Sequence, residues 1–169
     1  NASGWVLEAG SALSGNDNAS ATPEVLVAIG GLATSIGAAD VTEVEWITST
    51  ADKSEGFTLS VRVRYNEAVT VTGSPTIAVT NGNQGSGSGR GPHTLVYASG
   101  TGTNELIFNL AIAANNAATN ANDVLSIGAQ NILKPGGATI KDTAGTASDS
   151  AVAISGAQGT AAGTLTVTA

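Results

Sequence analysis

Nine residues constrain this chain more than any others: Phe57-Thr-Leu-Ser-Val-Arg-Val-Arg-Tyr65. Phe57, Leu59, Val61, Val63 and Tyr65 share one parity; Thr58, Ser60, Arg62 and Arg64 share the other. Successive side chains of a strand point to opposite faces, so this alternation builds one buried face and one wet face. A helix would scatter the same apolar residues around its circumference. The stretch therefore predicts a central strand of an antiparallel, half-solvated sheet.

The same period recurs along the chain. Val44 and Trp46 alternate with Glu43 and Glu45 in Val41–Thr48. Leu106, Phe108, Leu110 and Ile112 alternate in a second strong strand. Shorter pieces are expected at Ala68–Val71, Ile77 and Val79, Leu95 and Tyr97, Val124–Ile127, Ile132, Ile140, Val152 and Ile154, and Thr164–Thr168. Asn66-Glu67, Gly73-Ser74-Pro75, Ser99–Asn104 and Asp142–Asp149 are expected turns. Many short strands with closely spaced turn signals predict a sandwich or barrel, and an all-β sandwich of seven to nine strands is the expectation. No amphipathic helix of ~12 residues stands out. Phe57, Leu59, Val61, Val63, Leu106, Phe108 and Leu110 are the expected core.

Three regions follow. Residues 1–40 read as an N-terminal arm or extension, 41–155 as the β-sandwich, and 156–169 as a C-terminal strand or tail. In the arm, the apolar patch Trp5-Val6-Leu7 is followed by a polar stretch from Gly10 to Thr22 and the alternating Val25, Val27 and Ile29. These six apolar residues are the expected partner-binding set. The competing expectation is an N-terminal strand folded back on its own domain. The chain holds no methionine and begins at Asn1, so residues upstream are expected.

Composition removes several function classes. Only 11% of the 169 residues are charged, against a usual ~25%. Thr, Ser, Asn and Gly must coat the surface, as suits exported or virion proteins. Six basic residues and a net charge of −7 leave no basic stripe for nucleic acid and no attraction to an anionic membrane. There is no cysteine, hence no disulfide and no thiolate metal site.

No catalytic residue and no cofactor is expected. His93, the sole histidine, follows the Gly/Ser-rich stretch Asn81–Pro92 and reads as part of a hairpin tip, without a nucleophile elbow. Gly85-Ser-Gly-Ser-Gly-Arg-Gly91 lacks the Lys-Ser/Thr of a phosphate loop. Glu67, Asp123 and Asp142 are candidate calcium ligands from turns, but no Asp-X-Asp cluster supports them, and solvated turn carboxylates are the preferred reading. Asn1-Ala-Ser3 and Asn18-Ala-Ser20 fit the glycosylation pattern, a common chance match in an Asn-rich chain.

Three separated segments carry a family resemblance. Tyr65-Asn-Glu-Ala-Val-Thr-Val-Thr-Gly-Ser-Pro-Thr-Ile77, Tyr97-Ala-Ser-Gly-Thr-Gly-Thr-Asn104 with Leu106-Ile-Phe108, and Gly136-Gly-Ala-Thr-Ile-Lys-Asp-Thr-Ala-Gly145 follow one another in order. Together they resemble the bacterial Ig-like repeat, the cadherin-like β-sandwich module of large surface adhesins. Two departures are a longer Gly-rich tip and the carboxylate-free Ala113–Asn122, where those repeats carry an acidic Gly-Asp segment. The resemblance implies an Ig-like antiparallel β-sandwich with a non-enzymatic, surface-display role, found in phage virion proteins as well as adhesins. It also implies weak calcium candidacy for the turn carboxylates. The expected function is a structural protein of a phage virion surface, decorating or cementing a capsid in an oligomeric assembly. The alternative is an exported bacterial adhesin module or filament subunit at the cell surface, adding a strand from the arm or from Gly163–Thr168 to its neighbour. Expected partners are protein subunits of a capsid or filament, with a host-surface glycan as a further candidate, and neither nucleic acid nor membrane.

Overall fold

The computed structural model describes residues 3–7, 20, 24–29, 38–82, 92–143 and 149–169. The chain divides into two compact units, Asn1–Ile36 and Gly37–Ala169. In the first, β1 (Ser3–Leu7) pairs antiparallel with β2 (Glu24–Ile29). The register runs from Ser3 opposite Ile29 to Leu7 opposite Glu24, with an irregularity between Trp5 and Val6.

Among its described residues the second unit is mostly β, with one short α-helix and a 3-10 turn at Pro135–Gly137. Its strands are β3 (Val41–Trp46), β4 (Ala51–Asp52), β5 (Phe57–Thr72), β6 (Thr76–Gly82), β7 (His93–Ser99), β8 (Thr103–Ile112) and β9 (Val124–Ser126). After β10 (Gln130–Asn131) come β11 (Thr139–Asp142), β12 (Ala153–Ile154), the helix α1 (Gly156–Ala162) and β13 (Thr164–Thr168). Nine of these strands make one curled sheet in the order β11-β5-β8-β7-β6-β9-β13-β4, with β3 also on β5. β10 and β12 pair separately. The two ends of the sheet come back together. β4 follows β3 closely in the chain and pairs in parallel with β13. Trp46 Nε1 on β3 donates to Gly163 O, 3.3 Å, just ahead of β13.

β5 is the spine, and its alternation fills the core as its sequence dictates. Leu59, Val61, Val63 and Tyr65 are buried, with Leu106 and Phe108 from β8. Val61 lies opposite Phe108, and Phe108 opposite Tyr97. The Tyr97 and Phe108 rings meet edge to face, with centroids 6.1 Å apart. Phe57 and Leu110, expected inside, are only partly covered. They lie at or near the ends of their strands.

Two expectations need correction. Asn66-Glu67 is no turn: β5 runs on through it to Thr72, with a shift in its pairing to β8 between Arg64 and Val69. The extra length lets one strand carry two neighbours on the same edge. β3 pairs with Val61–Tyr65 and β11 with Val69–Thr72. Asn66 is held at the change-over, its N–H donating to Asp40 O and its Oδ1 accepting from Asp40 N. Second, residues 156–169 open with α1, which the strand pattern did not suggest. Its signal is a capping box: Ser155 Oγ accepts from Gln158 N, and Gln158 Oε1 accepts from Ser155 N. Gln158 Nε2 donates to Val41 O at 2.7 Å, tying the helix to β3. β13 lies inside the sheet, between β9 and β4.

Candidate functional site

Strand parity builds the most elaborate polar cluster. Ile77, Val79 and Asn81 alternate inward on β6, as do His93 and Leu95 on β7. Asp123, just ahead of β9, shares the parity of Leu125 and Ile127. Asn81, His93 and Asp123 therefore occupy the last inward positions of their strands and meet at the Phe57 end of the core. All are buried, with Thr119 from the preceding loop. Asp123 Oδ2 accepts from Asn81 Nδ2 at 3.1 Å and from Asn120 N at 2.8 Å. Asn81 Nδ2 also donates to Ala118 O, while its Oδ1 is shut off without a partner.

His93 is accordingly no loop-tip residue. It opens β7 opposite Val79, is 7% exposed, and its Nε2 lies 3.3 Å from Thr119 Oγ1. Burial pushes its pKa below the usual histidine value, and the nearby Asp123 only partly offsets this. Hydroxyl, imidazole and carboxyl thus occur in the residue types of a hydrolytic triad. Thr119 is fully buried, however, and its hydroxyl is closed to any substrate. The signal that places His93 was in the sequence: the parity of Leu95 and Tyr97, carried back one step, lands on it.

The other two carboxylates lie elsewhere. Asp142 is buried at the end of β11, opposite Val69. Glu67 sits in the irregular part of β5. The residue is only partly covered, yet its Oε1 is closed off from water with no hydrogen-bond partner. Desolvation first, then the charges of Asp142 and Asp40, raise the Glu67 pKa above the usual carboxylate value. The calcium candidates are thus split between opposite ends of the sheet, Asp123 at one and Glu67 with Asp142 at the other. Among the described residues, no three His, Asp or Glu side chains gather closely enough to hold a metal ion.

The three resemblance segments converge on that second end. Val69–Thr72 pairs with Thr139–Asp142. Gly102 N donates to Val69 O at 2.8 Å, Val71 N to Thr101 Oγ1 at 2.9 Å, and Thr101 N to Tyr97 Oη at 2.8 Å. Gly73 packs on Ala138, and a Cβ at Gly100 would overlap the Glu105 carbonyl oxygen. Both glycines also have positive φ, 74° and 114°, which L side chains resist.

The outer face of β3, β5 and β8 carries an ionic ladder. Arg64 reaches Glu43, Glu45 and Glu105 at 2.9, 3.1 and 2.9 Å. Arg62 reaches Glu105 at 3.1 Å, and its Nε lies 2.6 Å from Glu45 Oε1, off the line of a hydrogen bond. The hydrogen bond from Arg62, reinforced by Arg64, holds the Glu105 carboxyl below its usual range. Each arginine is matched by glutamate, so the ladder offers no spare cation to a ligand. A cleft of about 310 Å³ beside α1 is lined by Ser126, Ile127, Gly159, Thr160, Gly163 and Thr164 and presents hydroxyls but no titratable group.

Of the partner-binding set, Trp5, Val6 and Leu7 lie on β1, and Val25, Val27 and Ile29 on β2. The pairing brings Trp5 opposite Val27 and Val6 opposite Val25. The Gly-rich tip over 83–91 and both glycosylation asparagines lie outside the described residues. No helix among the described residues is long and apolar enough to cross a membrane. Comparison with known proteins found no matching family model, no matching curated protein and no matching solved structure.

Proposed function

We propose that this chain is a non-enzymatic structural protein of a phage virion, an Ig-like β-sandwich that decorates or cements a capsid and binds neighbouring subunits through residues 1–40. One observation carries the Ig-like part. Three motif segments, spread over Tyr65–Gly145 in sequence, interlock at one end of β5 through the hydrogen bonds that their Thr, Tyr and Gly residues supply. Chance matches would have no reason to meet.

Two features support a structural role. The potential catalytic groups are buried, and the outer arginines are spent on glutamates. The terminal strand β4 is also only two residues long, and α1 is tied to β3 through Gln158. Short edge strands limit unwanted strand pairing, which fits contacts made through residues 1–40.

The second reading, an exported adhesin module, is favoured by the motifs themselves, which follow the adhesin repeats. Its strand-addition mode loses one donor here, because Thr164–Thr168 is already paired to β9 and β4. Immunogold electron microscopy of the native source, with antibodies raised against Gly37–Ala169, tests both. Regular labelling of capsids is the expected result. Labelling of cell surfaces or fibres instead would select the second reading.

A further inference from the structure

We infer that Asn81–Gly82 is a deamidation site that the fold keeps closed and that unfolding opens. Asn81 is the sole asparagine of the chain followed by glycine. In that dipeptide the glycine backbone nitrogen can attack the asparagine amide carbon, because glycine has no side chain to hinder the approach or limit the rotation it needs. A bond forms from Gly82 N to Asn81 Cγ, the Cγ–Nδ2 bond breaks, and ammonia leaves with the proton lost from Gly82 N. Water then opens the five-membered imide. In sum, an amide and water give a carboxylate and ammonium, on the ordinary backbone or on one lengthened by a methylene.

Three features close the site in the folded chain. Asn81 lies opposite Leu125 and Gly82 opposite Val124, so the pairing of β6 with β9 fixes the backbone that ring closure must rotate. Asn81 Nδ2 is tied to Ala118 O at 2.8 Å and to Asp123 Oδ2 at 3.1 Å, which fixes the side chain too. Asn81 Oδ1 is buried without a hydrogen-bond partner, so no donor stabilises the oxyanion that attack at Cγ creates. An unfolded chain keeps none of these restraints, and water can solvate that oxygen.

The product does not fit back. A carboxylate at position 81 sets an oxygen where Nδ2 now donates, facing two acceptors, Ala118 O and Asp123 Oδ2. Two carboxylates sharing one buried site disfavour each other's ionised form. The lengthened backbone instead shifts the register of β6 against β9, which pairs over Thr80–Gly82. Deamidation thus turns a reversible unfolding into a one-way loss.

Peptide mass spectrometry at residue 81 tests this on the full chain held in mildly alkaline buffer, with and without urea. Conversion is expected in urea and at least ~100-fold slower without it, since only the rare unfolded molecules react. Gly82→Ala should slow conversion in urea several-fold; a Cβ there would lie 3.1 Å from Val124 O, a small adjustment for the fold. Asn81→Asp should lower the urea midpoint at pH 7, and lower it more than Asn81→Ala does. That gap should narrow as pH falls towards ~4, because the folded chain holds the added carboxyl's proton more tightly than the unfolded one. Conversion as fast without urea as with it overturns the inference. So does a chain that stays intact at Asn81 in urea while a short peptide spanning Thr76–Gly85 converts, or an Asn81→Asp chain as stable as the parent.

Discussion

The two ends of the β5 core are sealed by opposite means. At the Phe57 end, Asp123 accepts from Asn81 Nδ2 and Asn120 N, the His93 imidazole meets the Thr119 hydroxyl and is kept neutral by burial, and Asn81 Oδ1 alone goes without a partner. At the Val69 end, Glu67 crowds Asp142 and Asp40, and one of its oxygens has no partner. The first arrangement is bought with hydrogen bonds. The second stores repulsion where the motif turns interlock. Polar closure of a β core thus need not be uniformly stabilising, and acid should separate the two ends.

The apolar span between the ends sets the scale. Phe108→Ala should cost ~3–5 kcal/mol by urea unfolding, since a fully buried ring against Val61 and Tyr97 leaves a cavity. A parent-like transition would mean the buried face is misassigned. Asp123→Ala should cost less, ~1–3 kcal/mol, by stranding Asn120 N and removing one of the two acceptors of Asn81 Nδ2. If it proves silent, the Phe57 end is not sealed by that carboxyl.

The pH responses should have opposite signs. The folded pKa of His93 lies below its ordinary 6.5, so the unfolded chain takes up the proton first. Its contribution is complete above 6.5 and is lost as pH falls below that value. His93→Gln should flatten that loss in urea midpoints measured from pH 7 down to 5. A slope unchanged by the substitution would sink the neutral-imidazole account. Glu67 behaves conversely. Its folded pKa lies above 4.5, so its ionised form is penalised at neutral pH and relieved as pH falls towards 4.5. Glu67→Gln should therefore raise the urea midpoint slightly at pH 7, an advantage that shrinks with acid. A lower midpoint at pH 7 would reverse the sign assigned to that end.

Much of this was legible, and the gaps have physical causes. Alternation over Phe57–Tyr65 and Leu106–Ile112 placed the spine and its neighbour, because burial on one face is a period-two property visible in residue types. His93 was misplaced because the preceding glycines suggested a loop, although parity with Leu95 carried the answer. The run through Asn66-Glu67 was hidden because pairing with Asp40 is a long-range choice that no local turn signal reports. α1 was missed because its interior is Ala, Gly, Gln and Thr, with no apolar stripe; its capping box was the available signal. The split of Glu67, Asp123 and Asp142 could not be read at all, since it depends on sheet order rather than on spacing.

Gly37–Ala169 is expected to fold by itself, and residues 1–40 to carry the contacts with neighbouring subunits. The most direct measurement is sedimentation equilibrium combined with urea unfolding of the chain shortened to Gly37–Ala169, beside the full chain. One cooperative transition is expected at the midpoint of that unit in the full chain, with self-association weaker than that of the full chain. Loss of cooperative unfolding, or self-association as strong as that of the full chain, would contradict it.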